Sequence, residues 1–150
     1  MKKLKYITLI LTIALVSASC ESYDDYPEDR PSYVGFARLN MNINGVGDTG
    51  STKTAEVELF ISDASTSDRT FTITDVEIDD PEDFPPTDRE NFDYETSVTI
   101  PAGERKGVLT VTGINTTLSS NRTFFRLSIV DDNPSVLLGA ASTITIGLRK

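Results

Sequence analysis

Between residues 55 and 61 the chain reads Ala-Glu-Val-Glu-Leu-Phe-Ile, and this alternation constrains the fold more than any other stretch. Successive Cβ atoms of an extended chain point to opposite faces, so Ala55, Val57, Leu59 and Ile61 share one side and Glu56 and Glu58 the other. A helix would scatter these apolar groups around its circumference, whereas a half-buried antiparallel strand gathers them. From Tyr33 onward the same period of two returns in short runs separated by Gly, Pro, Asn and Asp, with no convincing helical run between them.

The first run, Tyr33 to Ile43, changes phase. Val34 and Phe36 share one parity and Leu39, Met41 and Ile43 the other, which a bulge or a strand that switches sheets would reconcile. Gly45 to Gly50 turns the chain into the 55–61 strand. Arg69 to Ile78 offers Phe71 and Ile73 and, after a second slip, Val76 and Ile78. A short strand from Ser97 to Ile100 leads into Pro101-Ala102-Gly103-Glu104, where Pro sets φ and Gly supplies a positive one. The last three runs place Gly107, Leu109 and Val111, then Phe125, Leu127 and Ile129, then Ile144, Ile146 and Leu148 inward. These runs predict an all-β fold, a seven-stranded immunoglobulin-like antiparallel β-sandwich over residues 33–150, with Leu109, Phe125 and Leu127 central to its core. Asp79 to Glu95 interrupts the pattern. Its three prolines and many acids exclude a central strand, and Phe84, Phe92 and Tyr94 are expected to pin it to the sandwich.

The first 19 residues read differently. Lys2, Lys3 and Lys5 precede an apolar run from Tyr6 to Val16, too short for a span of about 20 residues, and small residues follow up to Cys20. Leu15-Val16-Ser17-Ala18-Ser19-Cys20 resembles the lipobox of bacterial lipoproteins, although Ser17 stands where many carry Leu. The resemblance implies a signal peptide over 1–19 and a lipid attached to Cys20, the chain's one cysteine. The other reading is a secreted protein cleaved near Ala18 with Cys20 a free thiol. Acyl chains contribute about 0.8 kcal/mol per buried methylene, so more than one makes anchoring durable.

Residues 20–32 form an acidic tether with two prolines and no apolar period, able to reach at most about 40 Å. Glu21, Asp24 and Asp25 resemble the surface-export signal of Bacteroidetes lipoproteins, which implies an outer-membrane location facing outward. An acidic solvated tether is the plain alternative.

Loss of the leader removes three lysines and no acid, leaving 11 basic against 23 acidic residues, a net charge of −12. That charge argues against nucleic acid or an anionic membrane surface as partner. The chain has no His and no Trp. Ser-His-Asp and Cys-His catalysis and the usual zinc sets are thereby excluded, and sugar stacking falls to Tyr and Phe. No catalytic residue, cofactor or metal ligand is assigned.

Phe92-Asp93-Tyr94, Val98-Thr99-Ile100-Pro101-Ala102-Gly103-Glu104, Leu109-Thr110-Val111 and Phe125-Arg126-Leu127-Ser128-Ile129 together resemble the Calx-beta pattern. With Ser65 to Phe71, the domain is more similar still to small Bacteroidetes lipoprotein domains, often encoded beside SusC/SusD-type glycan-uptake systems. The resemblance implies a non-enzymatic surface module with a glycan or surface protein as partner. Calx-beta domains bind calcium through acidic loops. Here Ile114 to Asn121 lacks those ligands, and only Asp131-Asp132 and the 79–95 loop could supply carboxylates. A calcium-stabilised adhesion or spacer domain is thus the second reading, with Asp79, Asp80, Glu82, Asp83, Asp88, Glu90 and Asp93 as its candidate ligands; a solvated acidic loop is the plainer one.

Two further motifs stand out. Asp48-Thr49-Gly50-Ser51 matches the aspartic-protease signature, with Leu137-Leu138-Gly139 its companion element, and a dimer would have to pair two Asp48 carboxyls. A Gly-rich hairpin accounts for the run without chemistry. Asn115-Thr116-Thr117 and Asn121-Arg122-Thr123 match glycosylation sequons but read as loop residues in a bacterial context. Phe60 and Phe124 fall on outward faces, where they form either an exposed binding patch or contacts beneath covering segments.

Overall fold

The computed structural model describes residues 31–130 and 135–150. The leader, Cys20 and the tether as far as Arg30 lie outside the described residues, as do Asp131 and Asp132. Pro31–Lys150 forms a unit of its own.

Alternation produces strands wherever it was strongest. The first run splits into β1 (Ser32–Phe36) and β2 (Asn40–Asn44), and β3 (Thr52–Ile61) and β4 (Arg69–Val76) follow. A single 3-10 turn, Arg89–Asn91, opens β5 (Phe92–Tyr94), and β6 (Ser97–Ile100) comes next. The second half adds β7 (Lys106–Ile114), β8 (Thr123–Val130), β9 (Val136–Leu138) and β10 (Thr143–Arg149). They build two five-stranded sheets, ordered β5-β7-β3-β1-β9 and β2-β10-β8-β4-β6.

Ten strands therefore stand among the described residues where seven were expected. One extra comes from the phase change in the first run. β1 pairs antiparallel with β3 in the first sheet, and after Ala37–Leu39 the chain resumes as β2 alongside β10 in the second. Val34 and Phe36 are buried in one register and Ile43 in the other, while Leu39, at the crossing, is 61% exposed. The second extra, β5, pairs with β7 at the margin of the first sheet, and two residues later β6 pairs with β4 in the second. The third, β9, holds only Val136 inward. Nor is the sandwich wholly antiparallel, since β9 runs parallel to β1 and β2 parallel to β10. The second slip expected in β4 does not occur: the strand ends at Val76, which is exposed, and Ile78 lies beyond it, half-buried.

The inward faces meet in one core. Val57, Leu59, Leu109 and Val111 come from the first sheet and Phe71, Leu127, Ile144 and Ile146 from the second, all essentially inaccessible to water. Each contributes about 1.5–3 kcal/mol on burial. Phe92 of β5 stacks on Phe125 of β8 with ring centroids 4.0 Å apart, joining the sheets. Where β6 has crossed over, the layers approach closely: a Cβ on Gly107 would lie 2.7 Å from Val98 Cγ1 and 3.2 Å from the Thr99 carbonyl. The turn after β6 forms as its residues require, with Gly103 at φ 81° and the Glu104 N–H donating to the Pro101 carbonyl at 3.0 Å.

Candidate ligand-binding face

The parity that buries Val34 and Phe36 turns Tyr33 and Gly35 outward on β1, and that of β3 turns out Glu58 and Phe60. Gly35 faces Phe60 across the β1–β3 ladder, so the outward position opposite the Phe60 ring has no side chain. The segment after β9 walls the gap. Gly139 N–H donates to the Val34 carbonyl at 2.7 Å, Phe36 N–H to the Ala141 carbonyl at 2.8 Å, and that carbonyl oxygen lies 3.2 Å from where a Gly35 Cβ would sit. The outcome is an open, mostly apolar concavity of about 590 Å³, with Tyr33 and Phe60 as walls and Glu58, Lys106 and Ser62 at its margin. Tyr33 is 49% and Phe60 43% exposed.

The backbone of Tyr33 is tied to the residue that follows β3. Tyr33 N–H donates to Ser62 Oγ and Ser62 N–H to the Tyr33 carbonyl, each at 2.9 Å. One residue earlier, Arg69 donates to Ser32 Oγ at 3.4 Å and makes a two-pronged contact with Asp63 at 3.0 and 2.8 Å. The Arg69 guanidinium, with help from Ser32, lowers the Asp63 carboxyl to a pKa of about 2, and Asp63 raises that of Arg69. Glu58 and Lys106 pair at 3.4 Å on the rim. Partly exposed rings with a few polar groups around a concavity of this size suit a small ligand that has one apolar face and hydroxyls at its edge.

Phe124 behaves otherwise. The acidic loop folds over it, with Phe84 edge-to-face at 5.2 Å, Phe124 N–H donating to the Pro85 carbonyl at 2.8 Å and Thr87 N–H to the Phe124 carbonyl at 2.8 Å. Of the two outward phenylalanines, one is therefore covered and one is open. Phe92 is buried and Tyr94 half-buried, so all three of the loop's aromatics hold it in place. The Tyr94 hydroxyl donates to Asp75 Oδ1 at 2.8 Å and accepts the Asp75 N–H at 3.0 Å; burial, then Asp75, pushes its pKa up. Arg89 lies 4.6 Å over the Phe92 ring and 5.3 Å over that of Tyr94.

The loop's acids are dispersed. Asp79 pairs with Arg126 and Asp93 with Arg89, while Asp80 Oδ1 accepts the Asp83 N–H. Among the described residues no three His, Cys, Asp or Glu side chains are grouped so as to hold a metal ion. Asp48 sits not in a hairpin but in the loop that carries the chain from β2 in the second sheet to β3 in the first, 98% exposed and 3.7 Å from Lys150 Nζ. Leu137-Leu138-Gly139 lies at the opposite end of β3, where Val34 pairs with both Ile61 and Leu138. The two halves of the protease motif are thus a strand's length apart within the chain.

Asn115 is buried, which removes it as a glycan acceptor: its amide donates to the Gly47 carbonyl at 2.6 Å and its Oδ1 accepts the Leu118 N–H at 3.1 Å. Asn91 is buried likewise, accepting the N–H groups of Thr116 and Thr117 and donating to Thr117 Oγ1. Neither asparagine was distinguishable by composition, since a polar residue in a loop carries no sequence mark of burial. Tyr33 was not singled out in the sequence, although Val34 and Phe36 inward was the signal that turned it outward.

No family model matches the chain, and no curated protein does. Solved structures do. A candidate carbohydrate-binding protein from Bacteroides ovatus superposes with a TM-score of 0.64 at 15% identity, over 79% of this chain and 37% of its own. A two-domain protein of unknown function from Bacteroides fragilis gives 0.62 at 11%, over 79% and 45%. The Calx CBD1 domain in its apo form gives 0.59 at 10%, over 80% and 97%. The class is accordingly an all-β, two-sheet domain whose fold resembles that of the Calx CBD1 domain, a likeness of fold alone. The chain spans less than half the length of these two Bacteroides proteins.

Proposed function

We propose that this chain is a non-enzymatic glycan-binding or accessory module, an immunoglobulin-like sandwich anchored in the outer membrane through a lipid on Cys20 and facing outward. The observation that carries the binding part is the concavity between Tyr33 and Phe60 over Gly35. Its rings offer flat apolar surface to the C–H face of a sugar, and Ser62, Glu58 and Lys106 offer hydrogen bonds at the edge. The likeness to a candidate carbohydrate-binding protein of Bacteroides ovatus supports the same reading. The lipobox-like run before Cys20 and the acids after it support the location.

Two experiments test it. Titration of the full-length protein against a panel of neutral oligosaccharides should find a binder whose affinity drops at least tenfold in Tyr33→Ala and Phe60→Ala. A wild type that binds no member, or variants that bind equally well, would reject the site. Proteinase K treatment of intact cells should remove the protein while a periplasmic marker survives, and Cys20→Ala should leave the membrane fraction. Protection in intact cells would reject the outward placement.

A further inference from the structure

Acidic side chains outnumber basic ones over most of this chain, but one corner of the sandwich reverses the balance. Residues 40–54, 111–123 and 143–150 hold Lys53, Arg122, Arg149 and Lys150 against the single acid Asp48. Asn44, the last residue of β2, gathers three of the four. Its Oδ1 accepts Arg122 Nη2 at 2.9 Å, its carbonyl accepts Lys53 Nζ at 2.7 Å, and Arg149 is its partner in the β2–β10 ladder. Lys150 is matched by Asp48. Among the described residues, no carboxylate forms an ion pair with Lys53, Arg122 or Arg149. The acidic loop runs past Phe124, two residues beyond Arg122, and still gives that arginine no counter-charge.

The fold makes room for Arg122. A Cβ on Gly147 would lie 2.7 Å from Arg122 Cδ and 3.1 Å from the Phe124 ring, and would meet Asn42 Oδ1 as well. A glycine inside a strand weakens it and marks a close approach; over this one the arginine stem crosses β10 toward Asn44. Arg122 Nε is buried without an acceptor, and the guanidinium makes only its bond to Asn44 among the described residues. A cation that has lost part of its water and gained no counter-ion is unfavourable until an anion reaches it. The planar guanidinium edge suits an oxyanion, with charge-assisted bonds to two of its oxygens.

We infer that this corner is an oxyanion site, taking the carboxylate or sulfate of an acidic sugar. The sugar as partner rests on the glycan reading above; the preference for an anion rests on the cations around Asn44. Screening limits the field of distant charges to about 8 Å at physiological ionic strength, so the corner stays attractive to an anion in an acidic chain. The domain's first strand begins with Ser32 at the Ile61 end of β3, whereas Lys53 lies near the other end. A lipid phosphate at the anchoring membrane is therefore the less suitable source of the anion. Lys53 and Phe60 are separated by about 23 Å of strand, at about 3.3 Å per residue, so the corner and the concavity are separate sites.

Isothermal titration of the full-length protein with trigalacturonate and with a sulfated chondroitin disaccharide tests the assignment, with maltotriose as the neutral control. At least one acidic saccharide should bind, more weakly as sodium chloride is raised, and at least tenfold more weakly in Arg122→Gln. Gly147→Ala keeps every charge but displaces the Arg122 stem, and it should weaken binding too; thermal melting checks that both variants fold. Tyr33→Ala should bind the acidic saccharide as the wild type does, even if the concavity binds nothing. Equal binding by Arg122→Gln, or no binding of either acidic saccharide, would overturn the inference and leave the concavity standing. Sodium sulfate bound as tightly as the saccharides would reduce the corner to an adventitious ion only and overturn it. Binding confined to phosphatidylglycerol vesicles would overturn it in favour of a lipid headgroup.

Discussion

Asn91 shows how much one side chain organises at this scale. Itself buried, it joins the acidic loop to the turn after β7, and its amide satisfies two backbone N–H groups and one hydroxyl of that turn. Asn91→Ala strands the two N–H groups, while the Thr117 hydroxyl keeps Asp88 Oδ2 at 3.5 Å, and since a buried unpaired group costs about 1–3 kcal/mol, the variant should lose about 2 kcal/mol in urea unfolding. Asp63 is the residue that answers to pH. Its folded-state pKa, about 2, lies below the ordinary carboxylate value of 3.8. Its contribution to stability is therefore complete above about pH 4 and is lost as pH falls through about 2. The Asp63 side chain is 46% exposed, so the neutral-pH cost of Asp63→Asn should be modest, about 0.5–1 kcal/mol. Thermal melts from pH 5 down to pH 2 should show the wild type and Asp63→Asn converging, and a constant gap would contradict the pairing. No sequence pattern announced either residue, because each owes its role to partners at least five positions away.

At the scale of elements, alternation told most of what there was to tell. β3, β7, β8 and β10 bury the side chains their parity assigns, and the phase change at Leu39 marks a chain that leaves one sheet for the other. β5 and β9 were not legible. Each has three residues, too few to establish a period, and each exists because a neighbouring strand offers it unpaired backbone groups. Within the candidate site, Phe60 and Phe124 have equal claims by parity, and only the folded loop decides which is covered. The crossing from β5 to β6 also makes a sharp demand on β7. Gly107→Val would drive methyl groups into Val98, Ile100 and the Thr99 carbonyl. Overpacking of this kind costs about 1–3 kcal/mol, while Val108→Thr next door, on the exposed face, should be near neutral by the same thermal melt.

For the whole molecule, the stack of Phe92 on Phe125 makes the two sheets one cooperative body. Phe125→Ala should cost about 3–5 kcal/mol, and tyrosine fluorescence and far-ultraviolet dichroism should still unfold together. Separate transitions would mean that the sheets are independently stable. The parallel pairing of β2 with β10 has a mechanical consequence. Ser32 lies at the Ile61 end of the sandwich, and Lys150 at the end where Asp48 precedes β3. A pull along the strands between these points would slide β2 against β10 lengthwise, so the ladder from Asn40–Thr145 to Asn44–Arg149 would be sheared as a block, without unzipping pair by pair. Such a domain resists drag as a rivet does, by loading all its fastenings at once.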